Sequence, residues 1–279
     1  VTVLAKPAEP ARASNTISIA GIELEIFERG RGAPILYLHG GGGIALDLPF
    51  IDLLASERRI VAPSHPGFGK SSLPDWLDSV DDIAHIYLEL MDRLGLTRTD
   101  IVGLSIGGWI AADLATKVPE RLERLVLIGP VGVKTGPPDK LDVPDVFAMS
   151  QDKLDRLRFH DLAKNPVDLA SIPEEELHIL ARNRETLALL TWEPYMHNPK
   201  LKHRLHRVNV PTLFVRGASD GIVSAEYLER YAALIPQART ETIAEAGHLP
   251  QVEQPTATAA KVLHFLQAAQ AAETSGARS

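Results

Sequence analysis

The chain of 279 residues contains no cysteine. That absence removes disulfides, cysteine-ligated zinc and thiol nucleophiles from consideration. No apolar run approaches the roughly 18 residues that a membrane-spanning helix needs. The first stretch, VTVLAKPAEPARASN, has none of the apolar core that defines a secretion signal. An excess of positive charge is missing too. A net charge of −7 and a pI near 5.8 argue against nucleic-acid binding and against a polybasic membrane anchor. The expectation is a soluble, cytoplasmic protein that acts on a small molecule, with no nucleic-acid and no membrane partner.

What is present is an alternation. Residues 1–15 read as a loose leader rich in Ala and Pro. Thr16–Ala20 and Ile22–Glu28 alternate apolar and polar residues around Gly21, the pattern of a half-buried hairpin. Short continuous apolar runs follow at 34–38, 59–63, 101–102, 122–128 and 212–215, as strands covered on both faces require. Helical spacing lies between them, most clearly at Val80–Leu94. Strands separated by helices predict an α/β fold with a mainly parallel central sheet flanked by helices. Between Val131 and Leu205 no strand pattern appears. Stretches near Asp145–Ala163 and Pro173–Trp192 look helical, so 131–205 is expected to be an inserted helical lid. The core is then 16–130 with 206–270, its last helix running from about Pro255 to Ala269, and 271–279 should fray.

The most informative stretch is Ile101-Val102-Gly103-Leu104-Ser105-Ile106-Gly107-Gly108-Trp109. It reads as a strand, a sharp corner at Ser105 and a helix. A turn this tight brings strand end and helix start together, so the flanking glycines leave room. The Ser105 hydroxyl would stand clear at a helix N-terminus.

A serine nucleophile needs a base, and the base needs a carboxylate to orient it. In a parallel sheet, groups that meet follow the carboxyl ends of strands. His248 follows the last strand, within Ala246-Gly247-His248-Leu249-Pro250, and Asp220 follows the strand Thr212–Val215. Acyl transfer also needs N–H donors for an oxyanion. The Ile106 N–H supplies one, and the run Gly40-Gly41-Gly42-Gly43 the other, most simply from Gly41.

On these motifs, with Pro66-Gly67-Phe68-Gly69-Lys70-Ser71 and Gly217-Ala218-Ser219-Asp220, the sequence resembles the α/β-hydrolase superfamily with a helical cap. The resemblance spans residues 33 to 248. It implies Ser105 as nucleophile, His248 as base, Asp220 as orienting acid and Gly41 with Ile106 as oxyanion donors, with no cofactor and no metal. Within the superfamily the chain is similar to small-molecule esterases and to the carbon–carbon bond hydrolases of ring-fission products. The latter commonly carry Trp after the catalytic His, where this chain has Leu249. Ester hydrolysis is therefore the expected activity, with carbon–carbon hydrolysis and a non-catalytic ligand receptor as alternatives. Gly42, Trp192, Tyr195, His197 and Leu249 are candidates to contact substrate, and Phe147, Met149 and Met196 could join them in the pocket.

Three other patterns fail on inspection. Ser64–Ser71 ends like a phosphate-binding loop, but its first glycine is replaced by Ser64 and Pro74 interrupts the helix. The glycines at 40–43 fit a loose dinucleotide fingerprint, but Pro63-Ser64-His65 stands where the ribose-binding acid belongs. His203 and His206 are three residues apart with no third ligand nearby, so a solvated basic face is expected there.

Overall fold

The computed structural model describes residues 14–167, 169 and 171–276, with side chains through 267. Residues 1–13 of the expected leader (1–15) and the last three residues of the expected tail lie outside the described residues, and Ser14 and Asn15 are not loose but begin the first strand, paired with Phe27 and Ile26. Eight strands form one sheet: β1 (Ser14–Ile19), β2 (Ile22–Arg29), β3 (Pro34–Leu38), β4 (Arg59–Pro63), β5 (Thr99–Leu104), β6 (Leu122–Ile128), β7 (Thr212–Gly217) and β8 (Ala238–Ile243). Their spatial order is β1-β2-β4-β3-β5-β6-β7-β8. The β1–β2 and β2–β4 pairings are antiparallel and the other five are parallel. Ala20 and Gly21 join β1 to β2 with φ of 50° and 80°, the left-handed pair that suits a two-residue hairpin.

The continuous apolar runs sort by alternate residues onto two faces. Leu36, Leu38, Ile101, Leu125, Leu127 and Phe214 face one side, where α2 (Val80–Arg93), α3 (Ile106–Lys117) and α6 (Ala225–Ala232) pack. Ile35, Tyr37, Val102, Val126, Leu213 and Val215 face the other, against α1 (Leu48–Ala55) and α8 (Pro255–Gly276), which follows the short α7 (Pro250–Glu253). A strand buried on both faces has no polar side to show, hence the continuous apolar runs there. At the start of α2, Ser79 and Asp82 cap each other reciprocally, a sequence signal that fixes where the helix begins.

Two helices, α4 (Gln151–Arg158) and α5 (Glu174–Thr191), rise from the segment between β6 and β7. The helix expected from Asp145 begins only at Gln151. Asp145 Oδ1 instead accepts the N–H groups of Phe147 and Ala148, both at 3.1 Å, and that local turn competes with helix. The last helix, by contrast, continues past Ala269 to Gly276, so residues 271–276 of the expected frayed tail are helical. No helix among the described residues is long and apolar enough to cross a membrane.

Candidate active site

The register of the parallel strands aligns Leu38, Gly103 and Leu127 across the sheet, and Leu104 with Ile128. Loops leaving these ends share one edge. At that edge Ser105 has φ 51° and ψ −113°, a conformation costly for a residue with a side chain, of order 1–3 kcal/mol. The surroundings enforce it. A Cβ on Gly107 would lie 2.1 Å from the Leu38 carbonyl oxygen, and one on Gly103 would lie 2.4 Å from that of Gly107. Only hydrogen fits at either place, so strand and helix close on the serine between them.

The Ser105 hydroxyl donates to His248 Nε2 at 3.1 Å. His248 Nδ1 donates to both oxygens of Asp220, at 3.0 and 3.2 Å. A carboxylate can only accept, so Nδ1 carries the proton and Nε2 is free to take one. Asp220 is itself held by the N–H groups of Ile222 and Val223, each 2.9 Å from Oδ1. The structure therefore brings together three side chains that the sequence separates by 143 and 28 residues.

The glycine loop lies beside the serine, since a Cβ on Gly40 would be 3.7 Å from Ser105 Cβ. Its orientation is set from behind by two histidines stacked with ring centroids 3.8 Å apart. The His65 N–H donates to His39 Nε2 at 3.0 Å, so the His39 proton sits on Nδ1, which donates to the Gly40 carbonyl at 2.7 Å. In a trans peptide the next N–H points the opposite way. The Gly41 N–H is thus turned away from His39. His65 Nε2 donates to the His39 carbonyl at 2.9 Å, leaving its Nδ1 to accept from Tyr87. Burial lowers the His39 pKa to about 4 and holds His65 well below its ordinary value, so both rings are neutral near pH 7. The Ile106 N–H, first in α3, has no acceptor within its own helix.

Above this edge is a cavity of about 500 Å³. Its floor includes Gly41, Gly42, Ser105, Ile106, His248 and Leu249, and its roof includes Val146, Phe147, Leu154, Leu187 and Met196 from the lid. Leu169 and Leu177 also line it and are half exposed. Three of the residues expected to contact substrate lie elsewhere. Trp192 is 57% exposed and packs beside Phe147 on the outside of the lid. The Tyr195 hydroxyl is spent on the Pro144 carbonyl and the Val146 N–H, at 2.7 and 2.8 Å. His197 Nδ1 is bound to the Tyr195 carbonyl at 2.8 Å. Met149, too, is not among the cavity residues. An aromatic-rich lid sequence does not show which side its rings face.

The alpha/beta hydrolase family matches residues 35–261 of this chain. The chain belongs to that family. Among its relatives, 2-hydroxymuconate semialdehyde hydrolase of Pseudomonas putida is 28% identical over 277 residues, covering 95% of this chain and 98% of the relative. Lipase 3 of Moraxella sp. (strain TA144) is 28% identical over 234 residues, covering 80% and 73%. Among solved structures, a bacterial membrane phospholipase A superposes with a TM-score of 0.78 at 26% identity, covering 92% of this chain and 86% of that one. This α/β-hydrolase thus has relatives of more than one substrate class.

Two residues of the hydrolase that border the site carry no motif. Gly129, at φ 51°, lies behind the imidazole: a Cβ there would be 3.1 Å from His248 Cε1. Glu253 is 3% exposed, and its carboxylate accepts the N–H groups of Gly247 at 2.6 Å, His160 at 3.0 Å and Asp161 at 2.9 Å. It thereby joins the loop that carries His248 to the lid. A glycine after a strand and an acid in a short helix look ordinary in sequence.

Proposed function

We propose that this α/β-hydrolase cleaves carboxylic esters of small molecules through an acyl-enzyme. His248 Nε2 takes the Ser105 proton as Oγ forms a bond to the ester carbonyl carbon. The oxyanion lies against the Gly41 and Ile106 N–H groups. The C–O bond then breaks, and the alcohol leaves with the proton from His248. Water attacks the acyl carbon, gives its proton to His248, and the acid departs as Oγ regains that proton. Asp220 keeps the imidazole in the required tautomer throughout. The observation that carries this reading is the unbroken run of hydrogen bonds from Ser105 Oγ through His248 to Asp220, at 3.1 and 3.0 Å, under a largely apolar roof. Turnover of short-chain aryl esters tests it, with Ser105→Ala as the control. Wild-type turnover absent from the variant supports the reading, and equal rates refute it.

A second reading is supported by the similarity to 2-hydroxymuconate semialdehyde hydrolase over nearly the full length of both chains. The same serine site would then break a carbon–carbon bond next to a ketone. Leu249 speaks against it, because that position follows His248 on the cavity floor and carries no indole. Turnover of a 2-hydroxy-6-oxodienoate at a rate above that of any ester would favour this reading. A protein that binds such compounds yet turns over none would be a receptor.

A further inference from the structure

Asn183 stands on the lid helix α5, is 3% exposed and does not line the cavity. Both ends of its amide are nonetheless committed. Oδ1 accepts the Gly69 N–H at 2.9 Å, and Nδ2 donates to the Gly42 carbonyl at 3.2 Å. A backbone N–H can only donate and a carbonyl only accept, so the amide fits in one orientation. Arg182 and Thr186, on either side along α5, donate to the carbonyls of Gly69 at 2.8 Å and Gly67 at 2.9 Å, which seats the helix on that turn. At Gly43, with φ 84°, a Cβ would lie 2.5 Å from Asn183 Nδ2, so glycine there lets the amide reach the loop.

The bond to Gly42 begins a series. The Gly42 carbonyl and the Gly43 N–H are opposite ends of one trans peptide, and the Gly43 N–H donates to the Gly40 carbonyl at 3.0 Å. The Gly40 carbonyl and the Gly41 N–H are opposite ends of a second. Donor and acceptor thus alternate from Asn183 through two peptides to the Gly41 N–H, the proposed oxyanion donor. Hydrogen bonds joined in this way polarise one another as well as fixing direction. His39 Nδ1 holds the same Gly40 carbonyl from the core side at 2.7 Å.

We propose that Asn183 is a positioning residue of the oxyanion hole, acting from the lid through the Gly42–Gly43 and Gly40–Gly41 peptides on the Gly41 N–H. This rests on the ester-hydrolase reading, which supplies the oxyanion. A lid helix then contributes to transition-state binding without touching the substrate.

The test compares wild type, Asn183→Asp and Asn183→Ala on a short-chain aryl ester and on an alkyl trifluoromethyl ketone. Ser105 Oγ adds to the ketone carbonyl carbon while His248 takes the hydroxyl proton, leaving a bound oxyanion. Asn183→Asp keeps the shape and the acceptor for Gly69, but when ionised it sets an oxygen against the Gly42 carbonyl. Loss of an oxyanion donor costs about 10²–10³ in rate, and a donor present but mis-aimed should cost about tenfold or more in kcat with KM within about twofold. Inhibition by the ketone should weaken by the same factor. Burial raises the pKa of the introduced carboxyl, and its protonated form can donate to Gly42, so the kcat of Asn183→Asp relative to wild type should rise as pH falls from about 8 to about 5. Asn183→Ala, which cannot donate at any pH, should show the loss without the rise. Unchanged kcat and ketone inhibition in a folded Asn183→Ala, with only Tm lowered, would overturn the proposal, as would a pH response in Asn183→Asp no different from that of Asn183→Ala. If Asn183→Asp does not fold, kcat and ketone inhibition in Asn183→Ala decide. If wild type hydrolyses no ester, the ester reading fails by itself. The relay is then read from the rate of fluorophosphonate labelling of Ser105, in which the phosphoryl oxygen gains charge at the same place: labelling about tenfold slower in Asn183→Ala supports it, and equal rates or no labelling of wild type overturn it.

Discussion

The backbone N–H of His248 donates to the carbonyl of Arg158 at 2.7 Å, joining the imidazole's loop to the last residue of α4. One residue earlier, the Leu157 carbonyl accepts from Gly221 at 2.9 Å, beside Asp220. On the opposite side, α5 reaches the glycine loop through Asn183 Nδ2, 3.2 Å from the Gly42 carbonyl. The lid is therefore bonded to the loops that carry His248, Asp220 and the glycines at 40–43. Moving α4 as a rigid flap would pull on His248.

Glu253 holds this junction. Glu253→Ala removes an acceptor shared by three backbone donors, two in the lid and one beside His248. Hydrogen bonds to charged groups contribute about 1.5–3 kcal/mol each, and of the N–H groups left behind that of Gly247 is buried. We expect a loss of at least about 3 kcal/mol in denaturant unfolding. Glu253→Gln should recover part of the stability and, in the same proportion, kcat. A fall in stability with kcat untouched would mean that the junction does not position the base.

Gly129 gives a contrasting case. Gly129→Ala places a methyl group 3.1 Å from His248 Cε1 at a φ of 51°. The strain costs about 1 kcal/mol in folding, but the displaced imidazole should lower kcat by tenfold or more, because small misplacements of catalytic groups are expensive. Stability and steady-state rates measured together separate the two effects.

Asp220→Asn should reduce turnover by about 10⁴ while leaving the fold in place, because an amide that donates to Nδ1 enforces the wrong tautomer. The Ile222 and Val223 N–H groups can still bond the remaining oxygen. A drop of less than tenfold would show that another group orients His248.

Asp47 makes stability depend on pH. Its folded pKa, raised by burial to about 7 from 3.8, means that the folded state holds a proton the unfolded chain has released. The associated stability is complete below about pH 4 and is lost as pH rises through 7. Asp47→Asn has no such loss. The variant's Tm relative to wild type should therefore rise steadily between pH 5 and pH 8, and a constant difference would contradict the raised pKa.

These contrasts show what kind of information the sequence holds. The corner at Ser105 was readable because Gly103 and Gly107 are required by contacts within one strand–turn–helix unit. Asp220 and His248 were readable because a parallel sheet sends the ends of its strands to one edge. Gly129 and Glu253 were not, since their importance comes from neighbours more than a hundred or about ninety residues away. Tyr195 shows the limit in the lid: its hydroxyl is bound to Pro144 and Val146, while Phe147, directly after Val146, lines the cavity. Periodicity predicts a helix, but in a short, proline-broken insertion it does not say which face meets the core.

The proposed chemistry depends on an activated hydroxyl at Ser105. The most direct measurement is intact-protein and peptide mass spectrometry after treatment with a fluorophosphonate, on wild type and on Ser105→Ala. One adduct on the peptide bearing Ser105, absent from the variant and greatly slowed by His248→Ala, is the expected result. Labelling at full strength in Ser105→Ala, or none in a wild-type protein shown to be folded, would contradict it.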